Sequence, residues 1–156
     1  MTAPLFDLLE AAQPSWLFGE PRPVGSGFRD GVARIAGDLF VAFGLAGASG
    51  GGAIQALEDI AEQMWASGWS EDRVDGSTIP HDLGAVLTVS VQELLGGEVL
   101  ARGEANWLHT SIWWEGIGVE AFPYHKVRKR LSTGEGESLT YFVRALSARV
   151  PSPESG

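Results

Sequence analysis

The sequence predicts an α+β domain in which a mostly antiparallel β-sheet packs against one main amphipathic helix, at about residues 53–67. Two patterns support this fold class. Apolar residues recur at helical spacing between Ala53 and Trp65, whereas most of the chain after Ala85 alternates apolar and polar residues with the period of a strand. A helix with one apolar face needs a partner, and the predicted sheet is the natural one.

The main helix is the best-defined element of the sequence. Glycines precede it, Gly68 follows it, and good helix formers lie between them. Its polar residues share the face opposite the apolar ones. Burial of a large apolar side chain contributes about 1.5–3 kcal/mol to stability, so this face is expected to form much of the core. Its large side chains are Ile54, Leu57, Ile60, Met64 and Trp65.

The region before the main helix is predicted to hold a short helix and a hairpin. The short N-terminal helix covers Pro4–Ala12, and Pro14 stops it. A loop rich in proline and glycine follows. Two apolar runs then flank Gly37 and Asp38, a favourable pair for a hairpin turn, which predicts two strands over Val32–Leu45.

The second half of the chain is predicted to be mainly β-strand. Gly96 and Gly97 separate the first two apolar runs and are typical of a hairpin turn. The last two runs carry bulky side chains on both faces. We therefore expect the second face to be covered either by the helix and the N-terminal segment or by another subunit. The four runs are Ala85–Gln92, Val99–Trp107, Ser111–Ala121 and Leu139–Val150.

Length and composition indicate one domain over residues 1–150, followed by a polar C-terminal tail at 151–156. The absence of cysteine excludes disulfides, thiolate catalysis and cysteine-based metal sites. The formal net charge of −9 argues against nucleic acid as the main partner and against an anionic membrane surface. No apolar run approaches about 18 residues and no signal-peptide pattern is present, so we expect no membrane span and cytoplasmic synthesis without export.

The sequence carries no metal or cofactor motif, and we expect the chain to need neither. The three histidines do not share the spacing of a zinc site. A contact of His109 with Glu115 or Glu120 across strands would give a pair suited to general acid–base chemistry. Ordinary surface polarity is the alternative interpretation. No catalytic residue is assigned on this basis, and the chain is expected to be non-enzymatic.

A basic run at Pro123–Arg130 contrasts with the acidic remainder of the chain. It is either a solvated hairpin arm or a contact point for an acidic partner surface, such as another copy of the protein. Interfaces favour aromatic and arginine anchors, so aromatic residues of the neighbouring strands join the run in a predicted interface. The predicted interface residues are Trp113, Trp114, Lys126, Arg128, Lys129, Arg130, Tyr141 and Phe142.

Residues 1–92 resemble the tail terminator proteins of long-tailed bacteriophages. The resemblance rests on the order of a short N-terminal helix, β segments such as Leu39–Leu45, a helix like Ala53–Trp65 and a strand like Ala85–Gln92. Residues 93–150 depart from it by adding further strands. The resemblance implies a small, non-enzymatic, ring-forming protein that closes the tail tube and joins it to the head. It carries no functional residue over to this chain.

These patterns favour a non-enzymatic assembly or interaction protein that forms a homo-oligomer, with a phage tail or neck component as the sharpest version. The expected partners are copies of the same chain or another virion protein, and that version places the protein in the virion. The alternative is a small-ligand-binding protein or an acid–base enzyme with a sheet-lined apolar pocket. The second face of the late strands distinguishes them, because it either lines a pocket or meets another subunit.

Overall fold

The computed structural model describes residues 8–10, 21–24, 27–43, 50–68, 79–102, 110–134 and 138–150. These residues form an α+β fold with an antiparallel sheet, which confirms the predicted fold class. The helices are α1 (Gly27–Ala42), α2 (Gly50–Ala66), α3 (Ile79–Leu95), α4 (Pro123–Thr133) and α5 (Leu139–Arg149). The strands are β1 (Leu8–Glu10), β2 (Pro21–Pro23), β3 (Glu98–Arg102), β4 (Ser111–Trp114) and β5 (Val119–Ala121), with a 3-10 turn at Glu115–Ile117.

The strands form one sheet in the order β1-β5-β4-β3-β2, and every neighbouring pair is antiparallel. In the centre of the sheet, Ile112 lies opposite both Val99 and Ala121. These three residues belong to the main hydrophobic core, which the sheet shares with the helices. Helix α3 contacts β3 and β4 and also packs against α1, α2 and α4. It is therefore the element around which the helical layer is arranged.

The opposite face of the sheet is also buried. Leu100, Ser111, Trp113 and Glu120 share this face by the register of the strands, and each is at most 4% exposed. None of them belongs to the main hydrophobic core. Both faces of the central strands are thus covered within a single chain, so the bulky pair Trp113 and Trp114 does not require another subunit for its burial.

The main helix is confirmed, with bounds of Gly50–Ala66. Ile54, Leu57, Ile60 and Met64 are buried as the apolar spacing predicts, whereas Trp65 remains 37% exposed. The helix packs on α3, α4 and α5. Its apolar face therefore meets other helices in place of the sheet that we expected as its partner.

Three predicted β regions are helices. Val32–Leu45 falls largely in α1, Ala85–Gln92 lies within α3, and Leu139–Val150 is α5 with its C-cap residue. Helix α3 shows the reason most clearly, because most of its apolar residues are buried and its Thr88 and Ser90 are buried as well. A helix that is buried all round has no single apolar stripe, so apolar alternation does not distinguish it from a buried strand. The hydroxyl of Thr88 donates to the carbonyl of Gly84 at 2.7 Å, which satisfies it inside the core.

Neither of the two predicted hairpin turns joins a pair of strands in the structure. Gly37 and Asp38 lie on the exposed side of α1, in place of a hairpin turn. Gly96 and Gly97 adopt left-handed φ angles of 74° and 94° and join α3 to β3. The amide of Gly96 donates to the Gln92 carbonyl at 2.8 Å, so this glycine terminates a helix.

The predicted N-terminal helix is a strand in the part that the structure describes. Leu8–Glu10, part of the predicted helix over Pro4–Ala12, is the edge strand β1 and pairs with β5. Pairing with a strand more than a hundred positions along the chain outweighs a local helical pattern.

The basic run, for which a hairpin arm was one interpretation, is helix α4. Its Pro123 occupies the first turn, where a proline is tolerated because the amide there has no helical partner. The rest of Pro4–Ala12 and the tail at 151–156 lie outside the described residues.

Helices α3 and α4 approach closely because Gly84 has no side chain. A Cβ atom built at Gly84 would lie 2.5 Å from Cδ2 of Tyr124, whose ring is 2% exposed. An aromatic ring enclosed on its other sides cannot move away at low cost. Gly84 is therefore the position that sets the spacing of these two helices.

Gly84→Ala is expected to lower the free energy of unfolding, even though alanine is the better helix former by about 0.5–1 kcal/mol. The overpacked contact with Tyr124 costs about 1–3 kcal/mol and outweighs that gain. The matched control is Gly37→Ala, on the exposed side of α1 with nothing within 4 Å of the added carbon. It should stabilise the protein by about 0.4–1 kcal/mol. Urea unfolding of both variants makes the comparison, and equal shifts in the same direction would contradict the packing assignment.

Candidate functional site

The structure distributes the predicted interface residues between the interior and the surface. Trp113, Trp114 and Phe142 are buried within the chain. Lys126 is 7% exposed, and its Nζ lies 5.9 Å from the ring centre of Phe142. Tyr141, in contrast, is 66% exposed. Most of these aromatic anchors are thus used to pack this chain, and Tyr141 is the member of the set that a partner could reach.

Arg130, also predicted to lie in an interface, is the centre of a buried ion cluster. Its side chain is fully buried on α4 and faces α2. Its Nε and Nη2 donate to Oε2 of Glu58 at 3.0 and 2.9 Å, and Nη2 also donates to Oε1 of Glu62 at 2.7 Å. The other oxygen of Glu58 accepts from the backbone amide of Leu139 at 2.7 Å. One carboxylate therefore connects α2 to both α4 and the first residue of α5. Arg128 and Lys129, the remaining two of the set, are half-buried on α4.

Arg130 remains charged in this setting. Burial lowers the pKa of its guanidinium, but the hydrogen bonds that it donates to Glu58 and Glu62 and their negative charge raise it by more. The net effect is a pKa above the ordinary value of arginine. The guanidinium therefore keeps its charge in the interior, and the cluster serves to hold helices together.

Of the acid–base candidates, the structure describes Glu115 and Glu120. Glu120 is fully buried, and its Oε2 accepts a 2.5 Å hydrogen bond from the hydroxyl of Ser111. Glu115 is exposed in the 3-10 turn at the end of β4. His109 lies outside the described residues. The serine–glutamate pair was missed from the sequence, because it becomes visible only when the register of β4 and β5 is known.

A groove lies at one end of the sheet, among the described residues. Its volume is about 450 Å³. It lies where α3 ends, β3 begins, β4 ends and α5 ends. Five apolar side chains, two glycines and two glutamates line it: Leu95, Gly97, Glu98, Trp113, Trp114, Glu115, Gly116, Ile117 and Val150. Ile117 is 43% exposed, which is unusual for a large apolar side chain and marks the mouth of the groove.

The floor of the groove is fixed by one hydrogen bond and one glycine. Trp114 donates from Nε1 to the carbonyl of Leu95, at the end of α3, over 3.0 Å. The indole approaches so closely that a Cβ atom on Gly97 would lie 2.8 Å from this nitrogen and 2.6 Å from Cγ2 of Ile112. With its φ of +94°, Gly97 could not be replaced by another residue without strain. The groove is therefore preformed.

A second, smaller groove lies between α1 and the start of α3. Its volume is about 280 Å³, and it is lined by Ile35, Asp38, Leu39, Ala42, Phe43 and Asp82. Close by, Nδ1 of His81 lies 3.6 Å from Oδ1 of Asp82, and the rings of His81 and Tyr124 are 5.6 Å apart between centres. These side chains form a small polar cluster at the N-terminal end of α3.

The comparisons with known proteins give no relative. No protein-family model, no curated protein and no solved structure matches this chain. Across the described ranges, no three metal-binding side chains lie together as a metal site would require. In the same part of the chain, no helix is both long and apolar enough to cross a bilayer. The groove must therefore be interpreted from its own chemistry.

Sequence reasoning found part of this groove. It singled out Trp113 and Trp114, but assigned them to an interface between subunits. Leu95, Ile117 and Val150 were missed, because they come from three different elements that meet only in the folded chain. The usable signal was the Glu115–Gly118 stretch directly after the two tryptophans, which places a polar turn beside a large aromatic pair.

The burial of Tyr124 predicts a loss of stability in alkali. Burial, together with the negative charge of Asp82, raises the pKa of its phenol above the ordinary value of 10.0. Above that pH the unfolded phenol ionises while the folded one keeps its proton, so unfolding is favoured as the pH rises. Tyr124→Phe should therefore weaken the pH dependence of the unfolding free energy above pH 10, measured with denaturant at several pH values. The reference variant is Tyr141→Phe at the exposed tyrosine, and an unaltered slope in Tyr124→Phe would contradict the assignment.

Proposed function

We propose that this chain is a non-enzymatic binding protein whose groove, formed by Trp113, Trp114, the Glu115–Ile117 turn and Val150, receives the apolar part of a small ligand. The observation that carries the proposal is the combination of volume and lining. About 450 Å³ falls within the range of roughly 300–1,000 Å³ that is usual for small-ligand sites, which are mostly apolar and aromatic with a few polar groups. The sequence pattern suggested this class as the alternative to assembly.

The preformed floor of the groove supports binding. Trp114 is held by its hydrogen bond to Leu95, it is 7% exposed, and Gly97 lies closely against its indole. A ligand therefore does not need to order these groups when it binds, which removes one of the usual costs of association.

The chemistry of the lining supports binding over catalysis. Of the residues that line the groove, Glu98 and Glu115 are the ones that ionise, and both are exposed. General acid–base catalysis uses a side chain that is held in position against the reacting group. Two exposed glutamates on an apolar surface are better suited to orienting a ligand than to transferring its protons.

Self-assembly is the second candidate, and it includes the phage tail or neck component suggested by the resemblance. Tyr141 on α5 and Val41 on α1 are 66% and 68% exposed, so each is a large side chain that a partner could contact. Two of the elements behind the resemblance, Leu39–Leu45 and Ala85–Gln92, are largely or wholly helical in place of strand, and Leu8–Glu10 is a strand in place of a helix. Its remaining support is the helix over Ala53–Trp65.

The test is to fill the groove and measure ligand binding. Gly116 lines the groove, does not adopt a left-handed φ, and has nothing within 4 Å of an added Cβ. Gly116→Phe should therefore fold normally while its ring competes for the space of the ligand. Phenylpropanol, a small aromatic alcohol, is the probe, and the indole N–H resonance of Trp114 reports its binding by NMR.

We expect phenylpropanol to shift the Trp114 resonance in a saturable manner and Gly116→Phe to weaken that binding at least about tenfold, as expected when about 1.4 kcal/mol of contact is lost. Gly116→Ala is the matched control, because it adds one carbon without filling the groove, and it should retain binding. A Trp114 resonance that never moves in the parent protein would contradict the proposed function. Equal binding by the parent and Gly116→Phe would place the ligand elsewhere.

A further inference from the structure

We infer that the groove selects organic cations, namely amines or quaternary ammonium groups carried on an apolar body. This inference rests on the proposed function, and it adds the charge class of the ligand. It is argued from the charges of the lining, the ends of two helices and the aromatic side chains.

The charged side chains that line the groove all carry the same sign. Glu98 and Glu115 are the charged residues in the lining, and both are acidic. The register of β3 and β4 sets Glu98 directly opposite Trp113, while Glu115 follows Trp114 in the chain. Both carboxylates and both indoles line the same groove, so a ligand resting on its aromatic surface has a negative charge within reach.

The ends of helices α3 and α5 add negative charge at the groove independently of these side chains. Helix α3 ends at Leu95 and helix α5 ends at Arg149, and the groove is lined by Leu95 and Val150. The C-terminal end of a helix carries roughly half a negative charge, from carbonyl groups that lack helical partners. The last turn of α3 contains no basic residue to offset it. In α5, Arg149 lies in the last turn and partly offsets the dipole, but it does not line the groove.

The two tryptophans of the groove also favour a cationic ligand. The face of an indole ring is electron-rich and attracts cations more strongly than any other side-chain ring. Sites that combine tryptophan with nearby carboxylates suit ammonium groups, since the apolar substituents contact the rings and the charge faces the carboxylates.

These features act in the same direction and would oppose an anionic ligand. A carboxylate or phosphate in this groove would meet two glutamates and two negative helix ends, with no basic residue in the lining to compensate. A neutral aromatic molecule would gain the apolar contacts alone. The structure therefore predicts an order of affinity in which the cation binds most tightly and the anion least tightly.

The experiment compares three probes of nearly the same size and shape that differ in charge. Phenylpropylammonium is the cation, phenylpropanol the neutral probe and phenylpropanoate the anion. Dissociation constants are measured from the Trp114 indole resonance at low and at high salt. We expect the cation to bind about tenfold more tightly than the anion at low salt, as expected for several exposed charges that each contribute a fraction of a kcal/mol. That ratio should shrink toward one at about 1 M salt, where charges are screened within about 3 Å.

Single variants then locate the source of the preference. Glu98→Gln and Glu115→Gln should each reduce the ratio of anion to cation dissociation constants by about two- to threefold. The ratio cancels any effect of the substitution that is common to all probes. Asp59→Asn is the matched control, because it removes one charge from an exposed position of α2 that does not line the groove. It should leave the ratio unchanged.

The outcomes separate the two proposals. Equal affinity for all three probes would overturn the cation inference and leave the binding function standing. A preference that falls equally in Asp59→Asn and Glu115→Gln would also overturn it, since the whole-chain charge and not the groove would then be responsible. If none of the probes shifts the Trp114 resonance, both the binding function and the cation inference fail.

Discussion

The ion cluster of Arg130 is the interaction on which the rest of the helical layer depends. A fully buried guanidinium is costly to desolvate, and it is tolerated here because two carboxylates meet it within 3.0 Å. Glu58 is the more important of the two. Its side chain is 15% exposed and binds both Arg130 and the first amide of α5, whereas that of Glu62 is 50% exposed. A single acidic residue of α2 thus fixes the positions of two later helices.

This arrangement also relates the cluster to the groove. Helix α5 begins where Glu58 accepts the Leu139 amide and ends beside Val150 in the groove wall. Its eleven residues span about 16 Å at 1.5 Å per residue. The ion cluster therefore anchors one end of a rigid element whose other end shapes the candidate site. None of the three residues of the cluster lines the groove, which leaves the charge of the groove to Glu98, Glu115 and the two helix ends.

The sequence predicted the α+β class and the α2 helix because α2 is amphipathic, with Ile54, Leu57, Ile60 and Met64 on one buried stripe. It failed for α3, where buried residues such as Thr88 and Ser90 interrupt the apolar pattern and no single apolar stripe marks a helical period. It also failed for the basic run, where Arg130 looked like a surface contact. A charge that is neutralised by Glu58, 72 positions earlier in the chain, cannot be recognised from local pattern. The groove was predicted only as a generic sheet-lined pocket, since its walls come from separate elements and only its tryptophans were conspicuous in the sequence.

A double-mutant cycle between Arg130 and Glu58 tests the central claim most directly. The free energy of unfolding is measured for Arg130→Met, Glu58→Gln and the double variant, with Arg130→Met and Glu62→Gln as the comparison cycle. Breaking a buried ion pair from one side costs about 3–5 kcal/mol. We therefore expect the double variant to lose much less than the sum of the single losses, with a coupling of about 2 kcal/mol, toward the upper end of the range for residues in contact. The cycle with the half-exposed Glu62 should give a smaller coupling. Additive losses in the Arg130–Glu58 cycle would contradict the account, because they would show that the cluster does not hold these helices together.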